Sequence, residues 1–182
     1  MITTVGLIEL NSIAKGIETT DCMIKAAQVQ LLFSKAACPG KFIVLVAGDV
    51  GAVKASVQAG MQCAGHFMVN HLVVSSVHPQ LIPAINGTRE VQSRDALGVM
   101  EFFSIASAIT CADAAAKAAQ IELIEMRLGM GIGGKSFVTL CGSVSAVQAA
   151  VEAGLEEAQE KGHVISNCVI PSPSEELFHQ LI

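Results

Sequence analysis

The chain carries one pattern twice, and this limits its possible folds more than any other feature. VGLIELNSIAKGIETTDCMIKAAQVQLL, from Val5, lies over LGVMEFFSIASAITCADAAAKAAQIELI, from Leu97. Gly6 meets Gly98, Glu9 meets Glu101, and Ser12-Ile13-Ala14 meets Ser104-Ile105-Ala106. Lys25-Ala26-Ala27-Gln28 meets Lys117-Ala118-Ala119-Gln120. After a shift of two residues the match resumes, with GKFIVLVAGDVGAVKASVQAG, from Gly40, over GKSFVTLCGSVSAVQAAVEAG, from Gly134. The order and spacing of these matches exceed what Ala/Val-rich sequence gives by chance. The 182 residues therefore form two domains of about 90 residues each. We place them at 1–91 and 92–182, with the boundary between Pro83 and Asp95 in the polar stretch NGTREVQSRD.

Each copy reads as β-α-β-β-α-β. A first strand runs from Val5 to Leu10, and a helix follows with Ile13, Ile17, Ile24 and Ala27 on one stripe. Strands near Val29 to Lys35 and Phe42 to Ala47 come next. Asp49 is the expected N-cap of a second helix, and Ser143 stands at the same place in copy two. Val50, Val53 and Val57 give that helix its apolar face, repeated as Val144, Val147 and Val151. A short strand, Leu72 to Ser76, leads to a Pro-marked tail. The expected class is α+β, each copy a ferredoxin-like sheet with helices on one side.

GMGIGGKS, Gly129 to Ser136, satisfies two phosphate-binding patterns, the P-loop and the dinucleotide turn. A P-loop must open a helix, whose N-terminus helps to hold the phosphates. Here Ser-Phe-Val-Thr-Leu-Cys-Gly follows Lys135 and reads as a strand, and the helix begins only at Ser143. The same place in copy one is ACPGKF, which lacks most of the glycines. The loop is therefore expected to be a strand-to-strand turn.

Composition excludes other classes. Hydrophobic residues are 52% and charged ones 15%, yet no apolar run reaches the ~18–20 residues of a membrane helix. Such a chain is expected to bury much of its surface against partners. A net charge of −5 and the absence of Trp and Tyr argue against nucleic acid. The N-terminus has no basic region and carries Glu9 in its apolar stretch, so we expect no signal peptide and a cytoplasmic protein with reduced thiols. None of the six cysteines forms a C-x-x-C pair. His66, His71 and His78 fall within thirteen residues but lack a carboxylate at fixed spacing, and read as surface residues. No nucleophile motif accompanies them, so an enzyme is not expected.

Five pieces of this sequence resemble the shell-domain family of bacterial microcompartments. They are the opening G-[LV]-[IM]-E, D-x-x-x-K-A-A-Q in the first helix, the G-x-G-G-K turn, the G-[DS]-V-x-A-V helix start and the V-I-P-x-P end. The likeness covers nearly the whole chain, twice. A tandem chain with Cys-Pro in the first turn is similar to the type found in propanediol-utilisation compartments. The resemblance implies homotrimers that imitate hexamers, tiled with other shell proteins into a compartment wall. It implies a central pore lined by Ala37, Cys38, Pro39 and Gly40 from copy one and by Gly131, Ile132, Gly133 and Gly134 from copy two. Glycines let six turns crowd one axis. Lys25 and Lys117 are implied as tile-edge contacts. Arg is absent between the late prolines, where Ser172 stands in copy two, so edge contacts made by that Arg elsewhere are replaced or missing.

The turn of Cys38 is the place where the copies differ in length, Ala36 to Pro39 standing against Leu128 to Gly133. The resemblance implies that Cys38 is a metal ligand holding one [4Fe–4S] cluster per trimer, three chains supplying three thiolates. Such a centre would pass electrons across the shell to a redox enzyme, or be itself delivered. Two other readings stay open: a tile with a plain pore, and an oligomeric ligand sensor.

Overall fold

The computed structural model describes residues 3–92, 94–159 and 164–181; Ser93, in the polar boundary stretch, lies outside them. The chain divides into two compact units, Met1–Val77 and His78–Ile182.

The first unit runs β1 (Thr4–Leu10), α1 (Ile13–Ala26), β2 (Gln30–Ala37), β3 (Lys41–Gly48), α2 (Val50–Ala64), a short 3-10 turn (Gly65–Phe67) and β4 (Met68–Ser75). The second contains α3 (Leu81–Asn86), β5 (Ala96–Phe102), α4 (Ile105–Ala118), β6 (Glu122–Leu128), β7 (Ser136–Gly142), α5 (Val144–Gln159), β8 (Val164–Pro171) and α6 (Glu175–Leu181). The β-α-β-β-α-β order appears in both. The sheets are antiparallel with matching orders, β2-β3-β1-β4 and β6-β7-β5-β8.

Local chemistry starts the four helices of the repeat, α1, α2, α4 and α5, the same way. Ser12 Oγ accepts from the Lys15 N–H, and Ser104 Oγ from the Ser107 N–H. Asp49 Oδ1 accepts from the Ala52 N–H at 2.9 Å, and Ser143 Oγ from the Ala146 N–H at 3.3 Å, as expected of these caps. Val53 and Val57 are buried, as are Val147 and Val151, while Val50 is exposed. The repeated Gly6 and Gly98 let α2 and α5 lie close on their sheets: a Cβ at Gly6 would stand 2.5 Å from Val57, and one at Gly98 2.9 Å from Val147. The first core joins Ile8, Leu10, Met23, Phe42, Val44, Val46, Val53 and Val57.

One periodicity misleads. Ile13, Ile17 and Ile24 line one stripe of α1, but they remain 46%, 60% and 43% exposed. The helix instead turns Gly16, Thr19, Thr20 and Met23 inward. Thr20 is accommodated because its hydroxyl donates to the Gly16 carbonyl. The Thr19 hydroxyl, on the same face, is buried without a hydrogen-bond partner.

Residues 78–91, which the sequence reading assigns to the first copy, fall within the second compact unit. Leu81, Ala84 and Ile85 of α3 are buried. Gln80 bonds the edge strand β6 like a strand fragment, its Oε1 accepting from the Leu123 N–H and its Nε2 donating to the Ile121 carbonyl. The Arg89 N–H donates to the Ile124 carbonyl, so this segment covers an otherwise open sheet edge. Helix α6 adds Phe178 to a cluster with Leu97, Ile124 and Cys141, on the sheet face opposite Gly98.

Candidate functional site

The β2–β3 connection is a turn of three residues, because Ala37 and Lys41 are the last paired residues of the two strands. Ala37 is buried, Cys38 half-buried, and Pro39 and Gly40 exposed. The Cys38–Pro39 peptide is cis, and Gly40 has φ +79°. The β6–β7 connection is longer, since Leu128 pairs with Ser136. The Gly129 N–H donates to the Lys135 carbonyl at 3.0 Å and the Lys135 N–H to the Ile132 carbonyl at 3.3 Å. Gly131 and Gly133 lie at φ +72° and +66°, the left-handed region that side chains rarely adopt. Ile132 is half-buried and Gly134 buried.

An ion pair anchors the base of each turn. Lys41 Nζ lies 2.7 Å from Glu9 Oε1, and Lys135 Nζ lies 3.0 Å from Glu101 Oε1. These residues occupy matching places in the repeats. Lys135, the lysine of the phosphate-binding pattern, is thus tied to a carboxylate, and strand β7 follows it rather than a helix.

Lys25 and Lys117 each pair with the aspartate four residues before them. Their settings differ. The Lys25 side chain is 74% exposed, and its Asp21 contact holds its proton above the usual lysine range. Lys117 binds Asp113, which is buried and also accepts from the His78 N–H.

None of the six cysteines is in a disulfide. Cys111 and Cys141 are buried; burial, aided by Glu122, pushes the Cys141 thiol up to about 12. An open cavity of about 580 Å³ lies beside it, lined by Gln92, Glu122, Cys141 and Ser143 among others. Sequence reading missed one juxtaposition: Cys22 on α1 and Cys63 on α2 stand 2.8 Å apart at their sulfurs. They are 41 residues apart in sequence, so no spacing motif announces them. Among the described residues no three His, Cys, Asp or Glu side chains gather as a metal site. His66 lies against the Phe67 ring, and His71 is on β4. No helix among the described residues is long and apolar enough to cross a membrane.

Two four-stranded α+β units in tandem, each with a turn at the same sheet end, define the class as a duplicated shell-domain fold. The family model for the BMC domain matches residues 4–77 and again 96–173, and the chain belongs to that family in two tandem copies. The bacterial microcompartment shell protein PduT of Citrobacter freundii is 42% identical over 182 residues, covering 100% of this chain and 99% of that protein. A microcompartment protein from Desulfitobacterium hafniense DCB has a crystal structure that matches with a TM-score of 0.93 and 50% identity, over 98% of this chain and 99% of that one. The fused permuted hexameric shell protein MSM0275 from the RMM microcompartment matches at a TM-score of 0.62 and 23% identity, over 85% of this chain and 83% of that one, a likeness of fold alone. This chain is a structural shell protein of a bacterial microcompartment, not an enzyme.

Proposed function

We propose that three copies of the chain close into a pseudo-hexameric tile with a central pore, and that the pore holds one [4Fe–4S] cluster on three Cys38 thiolates. The observation that carries the ring is the α1 stripe. Ile13, Ile17 and Ile24 are exposed, whereas their repeat partners on α4, Ile105, Ile109 and Ala116, are 1%, 0% and 6% exposed. A surface of that composition, buried in one repeat and open in the other, calls for a further chain to cover it. Three chains, each offering one such stripe, account for the difference and bring six similar domains round one axis.

In that ring the turns 37–40 and 131–134 surround the opening. Gly131 and Gly133 have no atom within 4 Å of where a Cβ would lie, so the longer turns have room around them. Ile132 is the bulky side chain that would narrow the passage. Lys25 and Lys117 lie on the outer rim and meet lysines of neighbouring tiles, with other shell proteins completing the wall.

The donor set suits a cluster only through symmetry. One chain provides a single thiol at the turn, half-buried and outside any disulfide, and among the described residues no group of three His, Cys, Asp or Glu side chains makes a metal site within the chain alone. Three copies supply three thiolates, and the fourth iron takes a non-protein ligand. When bound, the cluster supplies one-electron transfer across the wall, toward a redox enzyme on either side. The chain's own part is to place Cys38 on a short turn whose second strand, β3, is tied to β1 by the Glu9–Lys41 pair. Copy two has no cysteine in its turn, which limits the trimer to one cluster.

Anaerobic reconstitution tests this directly. The expected product is brown, with about four iron per trimer, and Cys38→Ser is expected to be colourless yet trimeric. A colourless wild type would leave a tile with a plain pore; iron retained by Cys38→Ser would move the ligand elsewhere.

A further inference from the structure

The first repeat holds a second thiol centre, unrelated to the turn. Cys22 on α1 donates its S–H toward Cys63 Sγ on α2 across 2.8 Å, and both residues are half-buried. The two sulfurs are in direct contact, about 0.8 Å beyond the length of a disulfide bond. It belongs to one repeat alone, for the matching positions are Ala114 and Glu157. Its neighbours are charged. Lys15 bonds Glu18 at 2.9 Å, and after Glu18 the two sulfurs add to the pull that keeps Lys15 protonated. Asp21 and Lys25 form the next pair along the helix. The hydrogen bond to Cys63, then burial, raise the Cys22 thiol above its ordinary range.

We propose that Cys22 and Cys63 are a redox-active dithiol that low-molecular-weight disulfides oxidise to an α1–α2 disulfide. The hydrogen bond orders the steps: Cys22 donates its S–H to Cys63 Sγ, so Cys63 is the sulfur that attacks first, giving its own proton to solvent. Cys63 Sγ attacks one sulfur of the small disulfide, and the first small thiolate leaves. Cys22 then gives up its proton, its Sγ attacks Cys63 Sγ, and the second small thiolate leaves. Two protein thiols become one disulfide, and one small disulfide becomes two thiols, so electrons and protons balance. The product ties together the helix bearing the open isoleucine stripe and its partner helix.

Trypsin separates the relevant cysteines: Cys22 falls in 16–25, Cys38 in 36–41 and Cys63 in 55–89. The full-length Cys38→Ser protein, reduced and iron-free, is incubated with oxidised glutathione, quenched with N-ethylmaleimide and digested without reduction. This background keeps the outcome independent of the cluster. The expected product is peptide 16–25 linked to 55–89, two hydrogens lighter than the separate peptides, with two glutathione thiols released per link. Cys22→Ser is expected to stop at a stable glutathione adduct on Cys63, and Cys63→Ser to leave Cys22 far less modified. Both thiols recovered as maleimide adducts, or as two stable glutathione adducts, would overturn the proposal. Equal adduct formation on either single variant would overturn the assigned roles.

Discussion

Replacing Ile17 by Glu is expected to break the trimer while sparing the chain's own fold. Ile17 is the most open residue of the stripe, 60% exposed in the single chain. Full burial of an isoleucine side chain contributes about 1.5–3 kcal/mol, so the open share amounts to roughly 1–2 kcal/mol for each interface it covers. Three interfaces close a trimer, which makes the loss about 3–6 kcal/mol per ring, or roughly 10²–10⁴-fold in the association constant. Burying the new carboxylate adds to that loss. Within the chain the change costs little: Glu favours helix more than Ile, and its repulsion with Asp21 one turn on is about 0.2–0.5 kcal/mol. Sedimentation velocity over a concentration series reads the assembly, and far-UV circular dichroism reads the fold. Expected are wild-type trimers and largely monomeric Ile17→Glu with an unchanged spectrum. Trimers of Ile17→Glu as tight as the wild type would refute the interface.

Lys25→Asp is expected to abolish extended sheets of tiles under electron microscopy and leave trimers intact. Lys117 is a poorer probe of the same edge, because its removal strips a partner from the buried Asp113 and lowers stability as well. The two turn-base ion pairs are expected to differ in chemical denaturation. Lys41→Met strands Glu9, whose side chain is 4% exposed, at a cost of about 3–5 kcal/mol, whereas Lys135→Met frees a half-open Glu101 at about 0–1 kcal/mol. Equal midpoints for the two variants would contradict this. Calorimetry is expected to detect no ATP binding that depends on Lys135. Cys141 gives stability a pH dependence. Its thiol keeps its proton in the fold to about 12 against an ordinary 9.0, so its contribution is full below about 9 and falls as pH rises toward 12. One thiol proton sets an upper limit of about 1.4 kcal/mol per pH unit on that slope. Cys141→Ala is expected to flatten the wild-type decline over that window, and parallel curves for the two proteins would contradict it.

The repeat made the architecture legible, because each strand, cap and turn could be read twice. Asp49 and Ser143 cap α2 and α5, and Lys135 leads into a strand, as local chemistry indicated. The α1 stripe was not legible. Apolar spacing shows which residues share a helix face but not which face meets the chain's own sheet, and here Gly16, Thr19, Thr20 and Met23 do so. Helix α3 was hidden by its central Pro83 and the polar run behind it, although buried Leu81 and Ile85 hold it. Gln80 covering the β6 edge depends on a contact 43 residues away, which no local pattern encodes. The same holds for the Cys22–Cys63 pair. Cys38 was marked by a difference between copies, a three-residue turn where the other repeat has a longer one.

Native mass spectrometry of the anaerobically reconstituted protein weighs the ring and its cluster together. The expected species is three chains plus four iron and four sulfide, with the apo trimer as its only precursor. A monomer or dimer as the largest stable species, or one cluster for every chain, would contradict a three-fold tile built around Cys38.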